Sequence, residues 1–147
     1  MARATLAELP GWAGDLLLAA RVAHLGLLDE QGHPRVQPVT FAVADGRLWS
    51  AIDDHKPKRI PPERLARIRR LRADPRATLT VDRYADDWSA LAWVQVIGVA
   101  EIVAAADAPV AVGALQAKYR PYAEQPPSGP LVALAPQRCL CWRARPA

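Results

Sequence analysis

Lys56, Lys58 and Arg59 place three cations within four positions, with Pro57 between the first two. A phosphate is held by donors that reach it from several directions, and Lys and Arg supply charge-assisted hydrogen bonds to it. The cluster opens a wider basic window. Positions 55–76 hold nine of the nineteen Lys and Arg residues but only two of the fifteen acids, Glu63 and Asp74. The window therefore carries +7 and the rest of the chain −3, for a net +4. Such a balance is a local anion-attracting patch, not the global charge of a nucleic-acid binder. "KPKR" alone would also suit an import tag or a nucleic-acid contact, but no recognised nucleic-acid motif accompanies it. From the residues alone, the segment is either a solvated charged loop or an anion cradle. Arg64 stands nearest the cluster at the start of the following helix, within reach of an acidic ligand tail. Arg67, Arg69, Arg70 and Arg72 read as that helix's solvated face.

The remaining reactive side chains form no catalytic set. His24, His33 and His55 are far apart and show no metal-ligand spacing. Cys139 and Cys141 would share one face of a strand, where a disulfide is poorly placed, and no second ligand pair exists for zinc. The chain has no G-x-S-x-G elbow, no G-x-G-x-x-G and no phosphate-binding P-loop. The residues alone therefore name no catalytic side chain. Two cysteines and no targeting or membrane-spanning segment make the reducing cytoplasm the expected compartment.

The elements that must position these residues are short. At 147 residues, 51% apolar and 23% charged, the chain suits a single domain over residues 1–147. A helix is expected over Asp15–His24. The extended segment from Leu25 meets a turn at "DEQGHP". A strand follows over Arg35–Ala44, then a tight hairpin at Asp45-Gly46, then a strand over Arg47–Ile52. Leu65, Ile68 and Leu71 give a helix over Pro62–Ala73 one apolar stripe. Arg76–Tyr84 alternates as a half-buried strand. Leu91–Val103 is apolar on both faces, so it needs a cover on each: the interior of a barrel on one side, a helix or a second subunit on the other. Asp107 suits the N-cap of a helix to Tyr119. A Pro-rich loop over Arg120–Pro130 precedes two closing strands, Leu131–Ala135 and Arg138–Arg145. The whole reads as mainly β with α decoration, a small antiparallel barrel.

The order of these motifs resembles the pyridoxamine-5′-phosphate-oxidase-like split β-barrel superfamily. Within it the sequence is most similar to the actinobacterial deazaflavin (F420)-dependent oxidoreductases. The resemblance is carried by "ARVAHLGLLDEQGHPRVQPVTF" (Ala20–Phe41), "SAIDDHKPKR" (Ser50–Arg59), "LRADPRATLTVDRYADDWSALAWVQVIG" (Leu71–Gly98) and "LQAKYRPY" (Leu115–Tyr122). It implies a six-stranded antiparallel split β-barrel (the FMN-binding split barrel). It also implies a homodimer with two cofactors in clefts between the subunits.

The implied activity is hydride transfer between F420 and a small organic substrate. FMN is the alternative cofactor, and a non-catalytic flavin or F420 carrier or sensor the alternative function. The tail "CLCWRARPA" lacks the longer Arg-rich segment of the oxidases that act on phosphorylated pyridoxine, so that activity is not expected. By the same resemblance Lys56, Lys58 and Arg59 hold the cofactor phosphate. Backbone groups of Pro38, Val39 and Thr40 meet the ring edge, and small Ser50 and Ala51 let the ring approach. Trp88 walls the partner subunit's site. No nucleic acid, membrane or metal is expected.

Overall fold

The computed structural model describes residues 3–52 and 65–145. Helix α1 (Gly11–Ala19) ends earlier than its apolar pattern suggested, because the chain turns extended at Ala20 and enters β1 (Ala23–Leu28). The Asp29 carboxylate then accepts the N–H groups of Gln31 and His33 at 3.0 and 2.9 Å, and Gly32 takes φ +77°. This side-chain-to-backbone turn returns the chain as β2 (Pro34–Val39). β3 (Ala42–Ala44) and β4 (Arg47–Ala51) form the hairpin expected at Asp45-Gly46, both of which take positive φ as a two-residue turn demands. There follow α2 (Ala66–Ala73), β5 (Arg76–Arg83), β6 (Ala92–Ala104), α3 (Pro109–Lys118), α4 (Arg120–Glu124) and β7 (Pro130–Arg143).

Seven strands make one antiparallel sheet in the order β2-β1-β5-β6-β7-β4-β3. Its ladder is not closed, since β2 and β3 are its two edges. These edge strands are nonetheless consecutive in the chain. The single strand expected over Arg35–Ala44 breaks at Thr40 and Phe41, which carry the chain from one edge to the other. The two closing strands, by contrast, are one continuous β7 of 14 residues. Its pairing is interrupted at Gln137, which has no partner on β6, without ending. The register against β6 shifts between Ile97 and Gly98, so Arg138 faces Ile97 and Pro136 faces Gly98.

Two apolar layers hold the sheet. On its inner face Leu25, Phe41, Leu48, Leu79, Val94 and Val96 pack with Leu17 of α1 and Ile68 and Leu71 of α2. Beneath β3, β4 and the start of β7, Trp49, Leu131 and Ala133 pack with Ala111 and Leu115 of α3, Tyr119 and Tyr122. β6 is apolar on both faces, as its sequence demanded. Val94 and Val96 are fully buried, whereas Trp93, Gln95, Ile97 and Val99 on the opposite face are only half-buried. Among the described residues no helix is long and apolar enough to cross a membrane.

α3 ends on an unusual cation. The Lys118 Nζ lies 3.7 Å from the centre of the Phe41 ring and 5.5 Å from that of Tyr119. It is buried and has no hydrogen-bond partner among the described residues. Burial, helped by the nearby Arg21 charge, pulls its pKa down to about 8. The attraction of the ring faces does not make up for the lost water.

Two outcomes follow. A Cβ at Gly98 would overlap the backbone carbonyl of Ala135 across the bulge. Gly98→Ala should therefore destabilise the protein by about 2–4 kcal/mol, or lower its Tm by roughly 5–15 °C; an unchanged melt would contradict the close approach. For Lys118 the folded state binds fewer protons than the unfolded state between pH 8 and 10.5, so wild-type stability rises with pH across that window. Lys118→Met should be more stable than wild type at pH 7, with the gap shrinking toward pH 10 in denaturant unfolding. A gap independent of pH would show that the amine is not the cause.

Candidate functional site

The crossing at Thr40 and Phe41 leaves backbone groups without ladder partners, and side chains take them up. Ser50 Oγ, almost fully buried on β4, donates to the Thr40 carbonyl at 2.7 Å. The Thr40 hydroxyl pairs with the Tyr122 hydroxyl at 2.8 Å. The Phe41 N–H donates to the Tyr119 hydroxyl at 3.1 Å, and that hydroxyl donates to the Arg21 carbonyl at 2.8 Å. Buried donors and acceptors need such partners, so α3 and α4 are tied to the crossing by hydrogen bonds as well as by packing.

Beside the crossing lies a cleft of about 370 Å³. Its walls are Gln37–Thr40 at the end of β2, Ala51 and Ile52 at the end of β4, Val22, and Leu65–Arg67 at the start of α2. The size is within the range of small-molecule sites, and the wall mixes apolar side chains with the polar ones of Gln37, Thr40 and Arg67. Among the described residues of this lining, Arg67 is the only charged one. Its Nη2 donates to Gln37 Oε1 at 3.3 Å, but its buried Nε has no partner among the described residues. Burial lowers its pKa, against a smaller opposing contribution from Tyr122.

α2 is held in place by other arginines. Arg69 and Arg70 both reach Glu30, in the turn between β1 and β2, at 3.3 Å, and those contacts hold the Glu30 carboxyl below its ordinary pKa along with a backbone hydrogen bond, the largest cause. The helix packs on β6 and β1 and is tied by these pairs to the β1–β2 turn, with Arg67 at the cleft.

Of the residues singled out in the sequence, the structure brings Pro38, Val39, Thr40 and Ala51 to this cleft and puts Ser50 just behind it. Trp88 is elsewhere: it is 72% exposed, on a short turn capped by Asp87, and does not line this chain's cleft. Lys56, Lys58, Arg59 and Arg64 lie outside the described residues. The described residues that flank that segment, Ile52 and Leu65, both line the cleft.

Sequence reasoning gave Arg67 to the solvated helix face, and assigned Tyr119 and Tyr122 no role. Arg67 precedes Ile68 of the buried stripe, a position on the flank of the helix and not opposite the stripe, which was the available signal. For the tyrosines, the signal was two phenols three residues apart beside a Pro-rich stretch.

A second, shallower groove of about 340 Å³ lies on the half-buried face of the sheet, lined among others by Gly26, Leu28, Thr78, Ile97 and Gln137.

Solved structures share this architecture. A conserved hypothetical protein, Rv2991, from Mycobacterium tuberculosis superposes with a TM-score of 0.75 at 21% identity, covering 97% of this chain and 89% of its own. A protein described as an F420 reductase gives 0.65 at 18%, covering 90% and 98%. A FAD-binding protein from Mesorhizobium loti gives 0.64 at 19%, covering 96% of each. At these identities the likeness is one of fold. No curated protein matches the sequence. The family described as pyridoxamine 5′-phosphate oxidase matches residues 13–143, nearly the whole chain, and the protein belongs to that family.

Proposed function

We propose that the protein is an oxidoreductase that transfers a hydride between a deazaflavin (F420) and a small organic substrate, with FMN as the second candidate cofactor. The observation that carries this reading is the buried Nε of Arg67, which has no partner among the described residues, in a cleft beside the end of β2. A guanidinium is kept dry at a cost, and an acceptor on a bound anion or ring carbonyl offsets it. The similarity of fold to an F420 reductase favours the deazaflavin. The similarity to a FAD-binding protein keeps a flavin as the alternative.

In this reading the cofactor supplies the hydride chemistry when bound. The chain's residues do the rest. Arg67 holds an anionic or carbonyl edge, and Lys56, Lys58 and Arg59 meet the phosphate. Pro38, Val39 and Thr40 present the edge of β2 to the ring. Ala51 and the neighbouring Ser50, both small, leave room for it. Val22, Ile52 and Leu65 exclude water, which strengthens every charge interaction inside.

The half-buried face of β6, with Trp93, Ile97 and Val99 beside the second groove and Trp142 opposite Trp93, is the surface on which a second copy would sit. Trp88 would then reach the partner's cleft. A carrier or sensor is the reading to be separated from the enzyme, since no described side chain lining the cleft titrates near neutral pH.

Titration of the purified protein with F420 and FMN, side by side, tests the reading. Arg67→Met should bind the preferred cofactor about ten- to a hundredfold more weakly, the worth of a charge-assisted bond, while its Tm stays equal or rises because a buried charge is gone. A lower Tm with unchanged affinity would assign Arg67 to the scaffold instead. Lys56 and Lys58 changed together to Ala should also weaken binding without unfolding. Consumption of the reduced cofactor with an enone or quinone acceptor distinguishes enzyme from carrier. Sedimentation equilibrium should give a dimer, and a monomer at micromolar concentration would remove the shared cleft.

A further inference from the structure

Tyr119 occupies a position that packing alone does not explain. β1 and β2 pair in strict register from Leu28–Pro34 to Ala23–Val39. One step further in that register Val22 faces Thr40, and two steps further Arg21 faces Phe41. At that second step the N–H of Phe41 and the C=O of Arg21 do not bond to each other. Both bond to the Tyr119 hydroxyl, which accepts from the first at 3.1 Å and donates to the second at 2.8 Å. The hydroxyl thus stands as a spacer in the ladder.

The phenol is delivered from the end of α3 and is fixed on every side. It is 8% exposed. The Arg21 guanidinium lies 4.9 Å from its ring centre, Lys118 Nζ 5.5 Å, and the Tyr122 ring stands edge-on at 5.6 Å. An N–H and a C=O bridged by a hydroxyl are held further apart than a direct hydrogen bond would hold them. The two strands therefore cannot zip through Val22 and Thr40, and both of those residues line the cleft.

We propose that Tyr119 is a positioning residue, whose hydroxyl wedges β1 and β2 apart and so sets the width of the cleft at Val22 and Thr40. The consequence for binding rests on the cofactor reading above. The wedge itself is a statement about the strands and stands without a ligand. The opening would select for a flat ring over a chain-like ligand, because a ring inserted edge-on uses the width that one hydroxyl creates.

Tyr119→Phe keeps the ring and removes only the spacer. In that variant the Phe41 N–H and the Arg21 carbonyl lose their common partner and should bond to each other. NMR should then show new cross-strand contacts between residues 21 and 41 and between 22 and 40. Affinity for whichever of F420 or FMN the wild type binds should fall about tenfold or more. Val96→Ala, a core cavity remote from the cleft, should lower the melt while leaving affinity within about twofold. Should the wild type bind neither cofactor, the cofactor reading fails, and the strand contacts alone still judge the wedge. Unchanged strand spacing in Tyr119→Phe, with water in place of the hydroxyl, overturns the proposal. If the variant does not fold, the wild type decides: a scalar coupling across a direct hydrogen bond from the Phe41 nitrogen to the Arg21 carbonyl carbon would overturn the proposal. Its absence, alongside a protected Phe41 amide, supports it.

Discussion

Two residues that belong to no strand, Thr40 and Phe41, govern the shape of the molecule. They join strands that lie at opposite edges of the sheet, so the sheet has to curl until those edges approach. Their backbone groups are taken out of water with no ladder to receive them. An unpaired buried N–H or C=O costs about 1–3 kcal/mol; Ser50 answers the Thr40 carbonyl and Tyr119 the Phe41 N–H, while Tyr122 holds the Thr40 side chain. The Phe41 ring, fully buried, anchors the same point to the inner core. Sheet curvature, the docking of α3 and α4 and the position of the cleft are therefore three consequences of one crossing.

The same region holds two cations with little to neutralise them, and they differ in what surrounds them. Lys118 faces aromatic rings, which partly satisfy an ammonium but leave its pKa at about 8. Arg67 faces a cleft, and its buried Nε has no hydrogen-bond partner among the described residues. The arginines beside it, Arg69 and Arg70, have Glu30, and exposed pairs of this kind are worth little in stability. Their effect is orientational. They tie α2 to the β1–β2 turn, with Arg67 at the cleft.

Much of the sheet was legible because period-two alternation and turn chemistry act locally. Asp45-Gly46 announced its hairpin, and the two-faced apolar pattern of β6 announced a strand with a core on one side and an unfilled need on the other. The misread elements depended on distant partners. The break at Thr40 lies inside a segment that reads as one strand, and partners distant in the chain, among them tyrosines about 80 residues on, make it tolerable. β7 reads as two strands because Pro136 is a local stop signal. The stop is overridden by Gly98, which has no Cβ and lets the bulged strand pass close by. At the cleft, the β2 and β4 residues were named through the family resemblance. Arg67 was not, because one turn of α2 presents arginines on several sides and composition does not say which side is dry.

A cleft at the split of a sheet has a property that a pocket inside a closed barrel lacks. One wall is the edge of β2, whose backbone groups are free to meet a ligand, and the opposite wall is the end of β4, carrying small side chains. Ligand recognition can then rest on main-chain geometry, which is set by how far apart the strands stand and not by the identity of a lining side chain. This explains why a chain with so few candidate catalytic groups can still present an ordered site. The polar groups that matter are mostly backbone, and the side chains that matter most, Ser50, Tyr119 and Tyr122, act by fixing where that backbone runs.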